Sequence, residues 1–274
     1  MQPQQHAPDM QAVKERMKAM WTAGDFGKMA PFIADEAEEF VARLHLQPGM
    51  RLLDVACGTG NSAIPAARAG AIVTGVDIAP NLLATARMRA EREGLSVQFD
   101  EGDAEELPYA DAQFDMIISM FGAMFAPRPQ KMVAEFARVC RPGGLIAMAN
   151  WTPQGFIGQS FQLTNRYAPM PPGLLPPVLW GEESVARERF AGVPGSFEAH
   201  RRELVFDYPF GPAELVQFLR ANLGPAHATY ARLDEEGQRQ LSAEMEKLHA
   251  DHNHGDANRT VIPSDYLEVR VHKA

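Results

Sequence analysis

Residues 53–60 read Leu53-Asp54-Val55-Ala56-Cys57-Gly58-Thr59-Gly60, and this stretch decides the fold. A short apolar run that ends in small residues is typical of a buried strand in a parallel sheet. The glycines allow the chain to turn tightly and let a ligand approach the backbone closely. Because a helix is predicted directly afterwards, its free N–H groups face the same turn. The stretch therefore predicts a strand, a ligand-binding loop and a helix in succession.

Strands and helices alternate around this stretch, from about residue 50 to residue 150. Short apolar runs predict the strands, and apolar residues at helical spacing predict the helices. The predicted strands are 50–56, 71–77, 97–101, 114–120 and 145–150, and the helices between them are 61–69, 81–93 and 129–139. This order predicts an α/β fold, a parallel sheet with helices on both faces. Ligands of such sheets bind beyond the carboxyl ends of the strands.

The flanking segments have a different pattern. Residues 1–46 contain helical stretches, and the first is rich in Met, which adapts to irregular surfaces, so we expect a helical lid. Residues 152–181 are rich in Pro and Gly and predict a stiff apolar loop over the end of the sheet. Further elements are predicted as helices at 182–190, 212–222 and 230–250, and as outer strands at 203–208 and 266–271.

No segment separates two domains clearly, so one domain is predicted for residues 1–274. We divide it into an N-terminal helical lid at 1–46, a ligand-binding core at 47–151, and a region at 152–274 that holds a substrate cap and the outer strands.

Three acids follow three successive predicted strands. Asp54 ends the first strand, Asp77 ends the second, and Asp103 follows the third. One such acid alone is explained equally well as a helix cap, but three at neighbouring strand ends indicate a binding site. A carboxylate at Asp77 is suited to accept hydrogen bonds from both hydroxyls of a ribose. Asp103 is placed to reach the exocyclic amine of an adenine.

Residues 58–63 also fit G-x-G-x-x-A, the pattern of dinucleotide-binding loops. Asp54 opposes that interpretation, because a carboxylate four residues before Gly58 would repel a pyrophosphate. It favours a ligand that carries positive charge and no phosphate. S-adenosylmethionine (SAM) is such a ligand, since it has an ammonium and a sulfonium group.

With these motifs together, the sequence resembles the class I SAM-dependent methyltransferases. Within them it is similar to the branch of the ubiquinone and menaquinone biosynthesis methyltransferases (the methyltransferase type 11 domain). The resemblance covers about residues 40–151. The motifs that carry it are 53–60, with Ala56 where many members have Gly, then Val76-Asp77, Gly102-Asp103-Ala104 with Leu107-Pro108, Phe114-Asp115 and 138–144.

The resemblance implies a seven-stranded, mostly parallel Rossmann-like sheet whose last strand is antiparallel, with a cap inserted after the fifth strand. It implies SAM as cofactor and S-adenosylhomocysteine as product. The implied cofactor-binding residues are Asp54, Ala56, Cys57, Gly58 and Gly60 at the methionine end, Asp77 at the ribose, Ile78, Asp103 and Ala104 at the adenine, and Ser119 near the reacting centre.

Composition excludes several other classes. A net charge of -9 opposes a nucleic-acid partner, because such partners are bound through phosphate neutralisation. The sequence contains no run of about 18 apolar residues, so no membrane anchor is predicted. Neither a secretory signal nor a disulfide framework is expected from the N-terminus and the two cysteines, which favours the cytoplasm. Two cysteines are also too few for a methyltransferase that holds trivalent arsenic.

The methyl acceptor is less well defined. The Phe, Met and Trp content of the predicted cap favours a small apolar or aromatic molecule. His227 is a candidate base and Tyr167 a candidate for orienting the acceptor, although an exposed His and a packed Tyr explain them as well. His249, His252 and His254 form H-x-x-H-x-H, which is typical either of a metal site or of a solvated helix end; we favour the helix end and expect no metal.

The sequence thus predicts a SAM-dependent methyltransferase, monomeric or homodimeric, that acts on a small molecule, with no catalytic residue assigned. Two alternatives stay open at this point. One is a nicotinamide-dependent oxidoreductase on a similar sheet, and the other is a non-catalytic protein that binds SAM or S-adenosylhomocysteine.

Overall fold

A computed structural model of the chain describes residues 8–274. A seven-stranded sheet with the order β3-β2-β1-β4-β5-β7-β6 forms its centre. The strands are β1 Arg51–Val55, β2 Ile72–Asp77, β3 Gln98–Glu101, β4 Phe114–Met120, β5 Cys140–Trp151, β6 Gly195–Tyr208 and β7 Thr260–Lys273. The first five strands run parallel, and β7 is antiparallel to both of its neighbours, β5 and β6. The predicted fold class is confirmed.

Ten α-helices lie among the described residues. They are α1 Met10–Thr22, α2 Ala34–Ala42, α3 Ala63–Arg68, α4 Pro80–Arg92, α5 Pro129–Val139, α6 Phe156–Tyr167, α7 Glu183–Phe190, α8 Pro212–Asn222, α9 Gly224–Tyr230 and α10 Glu235–His252. Pro at the first position starts α4, α5 and α8, where its missing N–H and fixed φ cost nothing. None of the helices between residues 8 and 274 is long and apolar enough to cross a membrane.

The centre of the sheet is buried on both faces. Leu52 and Leu53 of β1 and Ile117 and Ile118 of β4 are fully enclosed, which explains why these strands are continuous apolar runs. The chain leaves β1 toward β2 on one side and reaches β4 on the other. This reversal of strand order opens a crevice at the carboxyl ends of β1 and β4, where sheets of this kind bind ligands.

The predicted apolar loop at 152–181 is wrong in its first half, because residues Phe156–Tyr167 form the helix α6. Its buried positions, Phe156, Gly158 and Leu163, pack against the body of the protein. The prolines lie outside the helix, at Pro153 before it and from Pro169 onward after it. A composition averaged over thirty residues therefore concealed a stretch that is free of Pro.

The outer strands are longer than predicted. β6 and β7 pair with each other over 14 positions, from Gly195↔Lys273 to Tyr208↔Thr260. β5 also begins earlier, at Cys140, and its register with β4 shifts between Phe114 and Met116, so residues 141–144 form a bulge in β5. More than half of the residues of β6 are exposed, and β7 includes polar or charged residues such as Ser264, Asp265 and Glu268, so neither apolar pattern marks the full length of its strand.

The lid and the cap meet at two glycines. The cap comes from two insertions, α6 and α7 before β6 and α8 to α10 before β7. A Cβ on Gly24 would lie 2.5 Å from the carbonyl oxygen of Asn222, and one on Gly224 would lie 2.1 Å from that of Met20. The end of α1 therefore contacts the start of α9 backbone to backbone. The first seven residues of the predicted lid lie outside the described residues.

Candidate functional site

A cavity of about 330 Å³ lies beyond the carboxyl ends of the central strands. We call one side of it the strand-end wall, formed by Asp54, residues 56–59, Asp77, Ile78, Asp103 and Ala104. We call the other side the aromatic wall, formed by Trp21, Phe125, Phe156, Phe161, Phe206, Tyr208 and Tyr230. Eight of the ten predicted binding residues line the cavity; Gly60 and Ser119 do not.

Asp54 is the most deeply buried acid of the strand-end wall. Its side chain is at the end of β1, 2% exposed, and its Oδ2 atom has no hydrogen-bond partner among residues 8–274. Burial and the nearby Asp77 raise the pKa of Asp54 well above its usual value, and the N–H of Ala63 offsets only part of this. A buried carboxylate with an unpartnered oxygen at a cavity wall is suited to bind a cation.

Asp77 holds the loop that follows β1. Its Oδ2 accepts the N–H of Gly58 at 2.8 Å, and its Oδ1 accepts the N–H of Ala79 at 2.8 Å. Burial raises its pKa although these hydrogen bonds oppose the shift. A carboxylate can accept about four hydrogen bonds in all, so Asp77 keeps acceptor capacity for a ligand. The helix-capping explanation holds in part, since the Ala79 bond supports the turn before α4.

Asp103 is already engaged by the lid. Its Oδ1 accepts the N–H of Glu105 at 2.9 Å, and its Oδ2 contacts the ammonium of Lys14 on α1. Lys14 also lies 2.7 Å from the buried carboxylate of Glu105, which binds Arg128 as well. The lid is thus tied to the loop after β3 by a lysine that sequence reasoning missed. Lys14 had no local signal, because its partners lie about 90 residues away.

The loop after β1 contains several residues in the left-handed region. Ala56 has φ 55°, Gly58 has φ 54° and Gly60 has φ 82°. Gly is the residue that adopts this conformation without strain, so Ala56 holds a backbone conformation that favours Gly. Gly60 turns the loop toward α3 and lies behind it, where a Cβ would meet Ile64 at 3.3 Å. Burial raises the pKa of the Cys57 thiol, so this wall residue stays protonated.

Ser119 lies away from the cavity, contrary to the position that the resemblance implies near the reacting centre. Its side chain is 1% exposed, and its hydroxyl accepts the N–H of Ala123 at 2.9 Å. The two residues that follow it, Met120 at the end of β4 and Phe121 just beyond it, line the cavity instead. Ser119 therefore stabilises the turn after β4.

Phe121 also lines the cavity, and sequence reasoning missed it. It adopts φ 58°, which is an outlier for a bulky side chain. Its ring stacks on Trp151 with centroids 3.6 Å apart and lies edge-on to Tyr266 at 5.3 Å. The next residue, Gly122, permits contact with the loop after β1, because a Cβ there would lie 2.5 Å from the Ala56 carbonyl oxygen. Such strain persists where packing enforces it, and it concentrates at functional sites.

Of the candidate polar residues of the cap, only His249 is placed differently from the favoured interpretation. His227 is exposed, and Tyr167 binds Glu244 through its hydroxyl; neither lines the cavity. His249 lines the cavity and is 3% exposed, so it does not belong to a solvated helix end. His254 is exposed, and the described residues contain no group of three or more His, Cys, Asp or Glu side chains arranged to hold a metal.

Comparison with known proteins gives a family. Residues 53–148 match the methyltransferase domain family Methyltransf_11. An uncharacterized protein of Mycobacterium tuberculosis strain H37Rv is 38% identical over 245 residues, which is 88% of each chain. Demethylmenaquinone methyltransferase of Renibacterium salmoninarum is 38% identical over 109 residues, 40% of this chain and 44% of that one.

A solved structure agrees with the fold. The YcgJ protein of Bacillus subtilis matches with a TM-score of 0.61, covering 88% of this chain and 99% of that one. Its 16% identity makes this a likeness of fold alone. The family rests on the sequence matches, one across nearly the whole chain and one across its core. This chain belongs to the class I SAM-dependent methyltransferases.

Proposed function

We propose that this methyltransferase transfers the methyl group of SAM to a small apolar or aromatic metabolite. The observation that carries this proposal is the aromatic wall of the cavity. Seven aromatic rings from the lid, the sheet and the cap face the strand ends, and apolar cavities of this volume are typical of small-molecule sites. Family membership sets the nicotinamide-dependent oxidoreductase aside.

The residues of the strand-end wall fit SAM. The unpartnered Oδ2 of buried Asp54 suits the ammonium of its methionine end. Asp77, whose carboxylate keeps acceptor capacity beside the Gly58 and Ala79 bonds, suits the ribose hydroxyls. We assign Ala56, Cys57 and Gly58 to the methionine end as well.

The remaining wall residues suit the adenine. Ile78 is an apolar neighbour for the ring, and Asp103 with Ala104 would meet its edge. Because Asp103 is held by Lys14 and the N–H of Glu105, it has less capacity for the adenine amine than Asp77 has for the ribose. Gly60 and Ser119 act behind the wall, by turning the loop and supporting β4.

The chain's own contribution to the reaction is positioning and exclusion of water. SAM supplies an electrophilic methyl group on a sulfonium, with a thioether as leaving group. The lid and cap close over the strand ends through the Gly24 and Gly224 contact. A closed apolar site strengthens the interactions of the charged strand-end residues and holds two reactants in one orientation.

We extend the proposal to organisation and location. The lid at 1–46, the core at 47–151 and the cap region at 152–274 act as one domain. The cysteines Cys57 and Cys140 are free and buried, which favours a reducing cytoplasm. One chain supplies both walls of the cavity, so a monomer suffices for the site, and a homodimer is equally compatible.

Calorimetric titration of the ligand-stripped protein with SAM and then with NADH tests the cofactor. We expect micromolar SAM binding and no NADH signal. A second assay follows tritium from labelled SAM into a panel of aromatic and aliphatic metabolites. Tight SAM binding with no transfer to any member would favour the non-catalytic alternative over this proposal.

A further inference from the structure

His249 lines the cavity beside the aromatic wall and is buried. It lies in the last turn of α10, and its ring is edge-on to Phe156 with centroids 5.1 Å apart. Phe156 begins α6, five residues beyond Trp151, the last residue of β5. The histidine is therefore near the carboxyl edge of the sheet, although 98 residues of sequence separate it from Trp151.

The hydrogen bonds of the ring determine its tautomer. Its Nδ1 atom lies 2.7 Å from the carbonyl oxygen of Met245. A carbonyl oxygen only accepts, so Nδ1 carries the hydrogen and Nε2 presents a lone pair. No hydrogen bond to Nε2 is formed by any residue from 8 to 274.

Burial keeps the ring uncharged. It lowers the pKa of His249, against the Met245 bond, and the nearby His252 acts in the same direction as burial. The ring is thus neutral at pH 7 and has its lone pair available. A neutral imidazole whose other nitrogen is fixed by a carbonyl is the form that accepts a proton.

The other titratable side chains of the cavity do not offer such a group. Lys14 and Arg220 are cations without a lone pair. Burial raises the pKa of both Tyr208 and Tyr230, so they keep their protons. The three acids belong to the strand-end wall and face the cofactor side. Among the described residues that line the cavity beside the aromatic wall, His249 is therefore the one suited to accept a proton.

We propose that His249 is a catalytic residue that accepts the proton of a hydroxyl-bearing acceptor. This inference rests on the proposed function and narrows its acceptor to aromatic alcohols such as phenols. The acceptor oxygen forms its new bond to the methyl carbon as the carbon–sulfur bond breaks, and its proton passes to Nε2. The products are a methyl ether, S-adenosylhomocysteine and an imidazolium, which returns its proton to solvent.

Two bicyclic probes of similar size test this role. 2-Naphthol must lose a proton when it is methylated, and isoquinoline is methylated on a nitrogen that has none to lose. For His249→Gln we expect 2-naphthol methylation to fall by about 100-fold or more, the contribution of a general base. Isoquinoline methylation should stay within about twofold. His254→Gln, at an exposed position just beyond the end of α10, is the matched control and should change neither rate.

A spectroscopic measurement tests the same role without turnover. In long-range proton–nitrogen spectra of the wild-type protein at pH 7, we expect His249 to be neutral, protonated on Nδ1 and unprotonated on Nε2. Loss of that signal in His249→Gln assigns it. Resonance assignment within the wild-type protein identifies the same signal without the variant, so a protonated Nε2 in the resting protein would overturn the proposal even if the variant does not fold.

The outcomes separate this inference from the proposed function. Equal loss with both probes, or no loss with either, overturns the role of His249 and leaves the aromatic acceptor intact. If the wild-type protein methylates isoquinoline but not 2-naphthol, the role of His249 is likewise overturned and the aromatic acceptor is left intact. If neither probe is methylated or bound while SAM binds, the aromatic acceptor itself is wrong, and the base falls with it.

Discussion

The strand-end wall and the aromatic wall face one cavity but are built in opposite ways. The strand-end wall comes from successive strands, each of which places one acid beyond its carboxyl end. The aromatic wall gathers single rings from α1, β6, α6 and α9, between Trp21 and Tyr230. One wall is therefore encoded locally and the other by tertiary packing. Cofactor recognition can be read from short motifs, whereas acceptor recognition depends on how distant segments meet.

The two walls also differ in electrostatics. Burial raises the pKa of both Asp54 and Asp77, so the strand-end wall holds carboxylates whose charge is poorly compensated by the protein. The aromatic wall is apolar and gains free energy from burial. The strand-end wall thus supplies the electrostatic attraction for the charged cofactor, and the aromatic wall selects the acceptor by its shape.

The largest expected effect is on cofactor affinity. Asp77→Ala removes the acceptor for the ribose hydroxyls and the bond that holds the Gly58 N–H. Charge-assisted hydrogen bonds of this kind contribute enough for a loss of about 100-fold in SAM affinity, measured by calorimetry. Asp115→Ala is the matched control, since Asp115 is at the amino end of β4 and binds Arg51 and Arg141. A loss below about tenfold in Asp77→Ala would count heavily against the assigned cofactor site.

The second effect should appear on the acceptor only. Phe161→Ala removes a ring that packs edge-on against Phe125, with centroids 5.9 Å apart. The lost apolar contact should raise the KM for an aromatic acceptor about tenfold, while SAM affinity stays within about twofold. Steady-state kinetics with each substrate varied in turn measures both. Equal weakening of SAM and acceptor would show that the two walls are not separate.

A smaller effect concerns the contact that ties α1 to the loop after β3. Lys14→Met removes the lid ammonium from Asp103 and the buried Glu105. We expect SAM to dissociate about fivefold faster in stopped-flow experiments, because partly buried ion pairs contribute about 1 kcal/mol. Lys18→Met serves for comparison, since Lys18 binds the exposed Glu101 on the same helix. Equal dissociation rates in the two variants would mean that the Lys14 contact does not slow the release of SAM.

Sequence reasoning was sufficient for the core and insufficient for the cap, for physical reasons. Parallel strands such as β4 are buried on both faces, so their apolar runs predict them almost to the residue. Asp54 and Asp77 were found because a strand end fixes where a side chain points. α6 was missed because nearby prolines masked its pattern, and the side chain of Ser119 is turned to the Ala123 N–H and not to the cavity.

The placement of His249 could not be predicted locally. The polar residues around it, Asp251, His252 and Asn253, are typical of an exposed helix end. Its burial depends on Phe156, which comes almost a hundred residues earlier in the chain. Phe121 is similar, since its positive φ depends on stacking with Trp151. Residues whose environment comes from distant segments leave no trace in a local pattern.

The smallest effect concerns stability and has an unusual sign. Asp54→Asn removes a buried carboxylate whose folded pKa lies well above its value in the unfolded chain. The folded protein therefore binds more protons than the unfolded one between those two pKa values, and its stability falls as pH rises through that window. We expect the variant to be about 1 kcal/mol more stable than the wild type at pH 7, roughly 3 °C in Tm, and to lose SAM affinity.

Thermal unfolding as a function of pH measures this, and Asp115→Asn provides the opposite case. Burial acts to raise the pKa of Asp115, but the Arg51 N–H and the Arg141 guanidinium outweigh it and hold the pKa below its usual range. Asp115→Asn should therefore lower Tm at pH 7, with a difference that disappears as acid protonates the wild-type carboxyl. The gain from Asp54→Asn should vanish below about pH 4, where Asp54 is protonated in both states. A lower Tm for Asp54→Asn at pH 7 would mean that the strand-end wall does not hold an uncompensated charge, and the electrostatic contrast between the two walls would be lost.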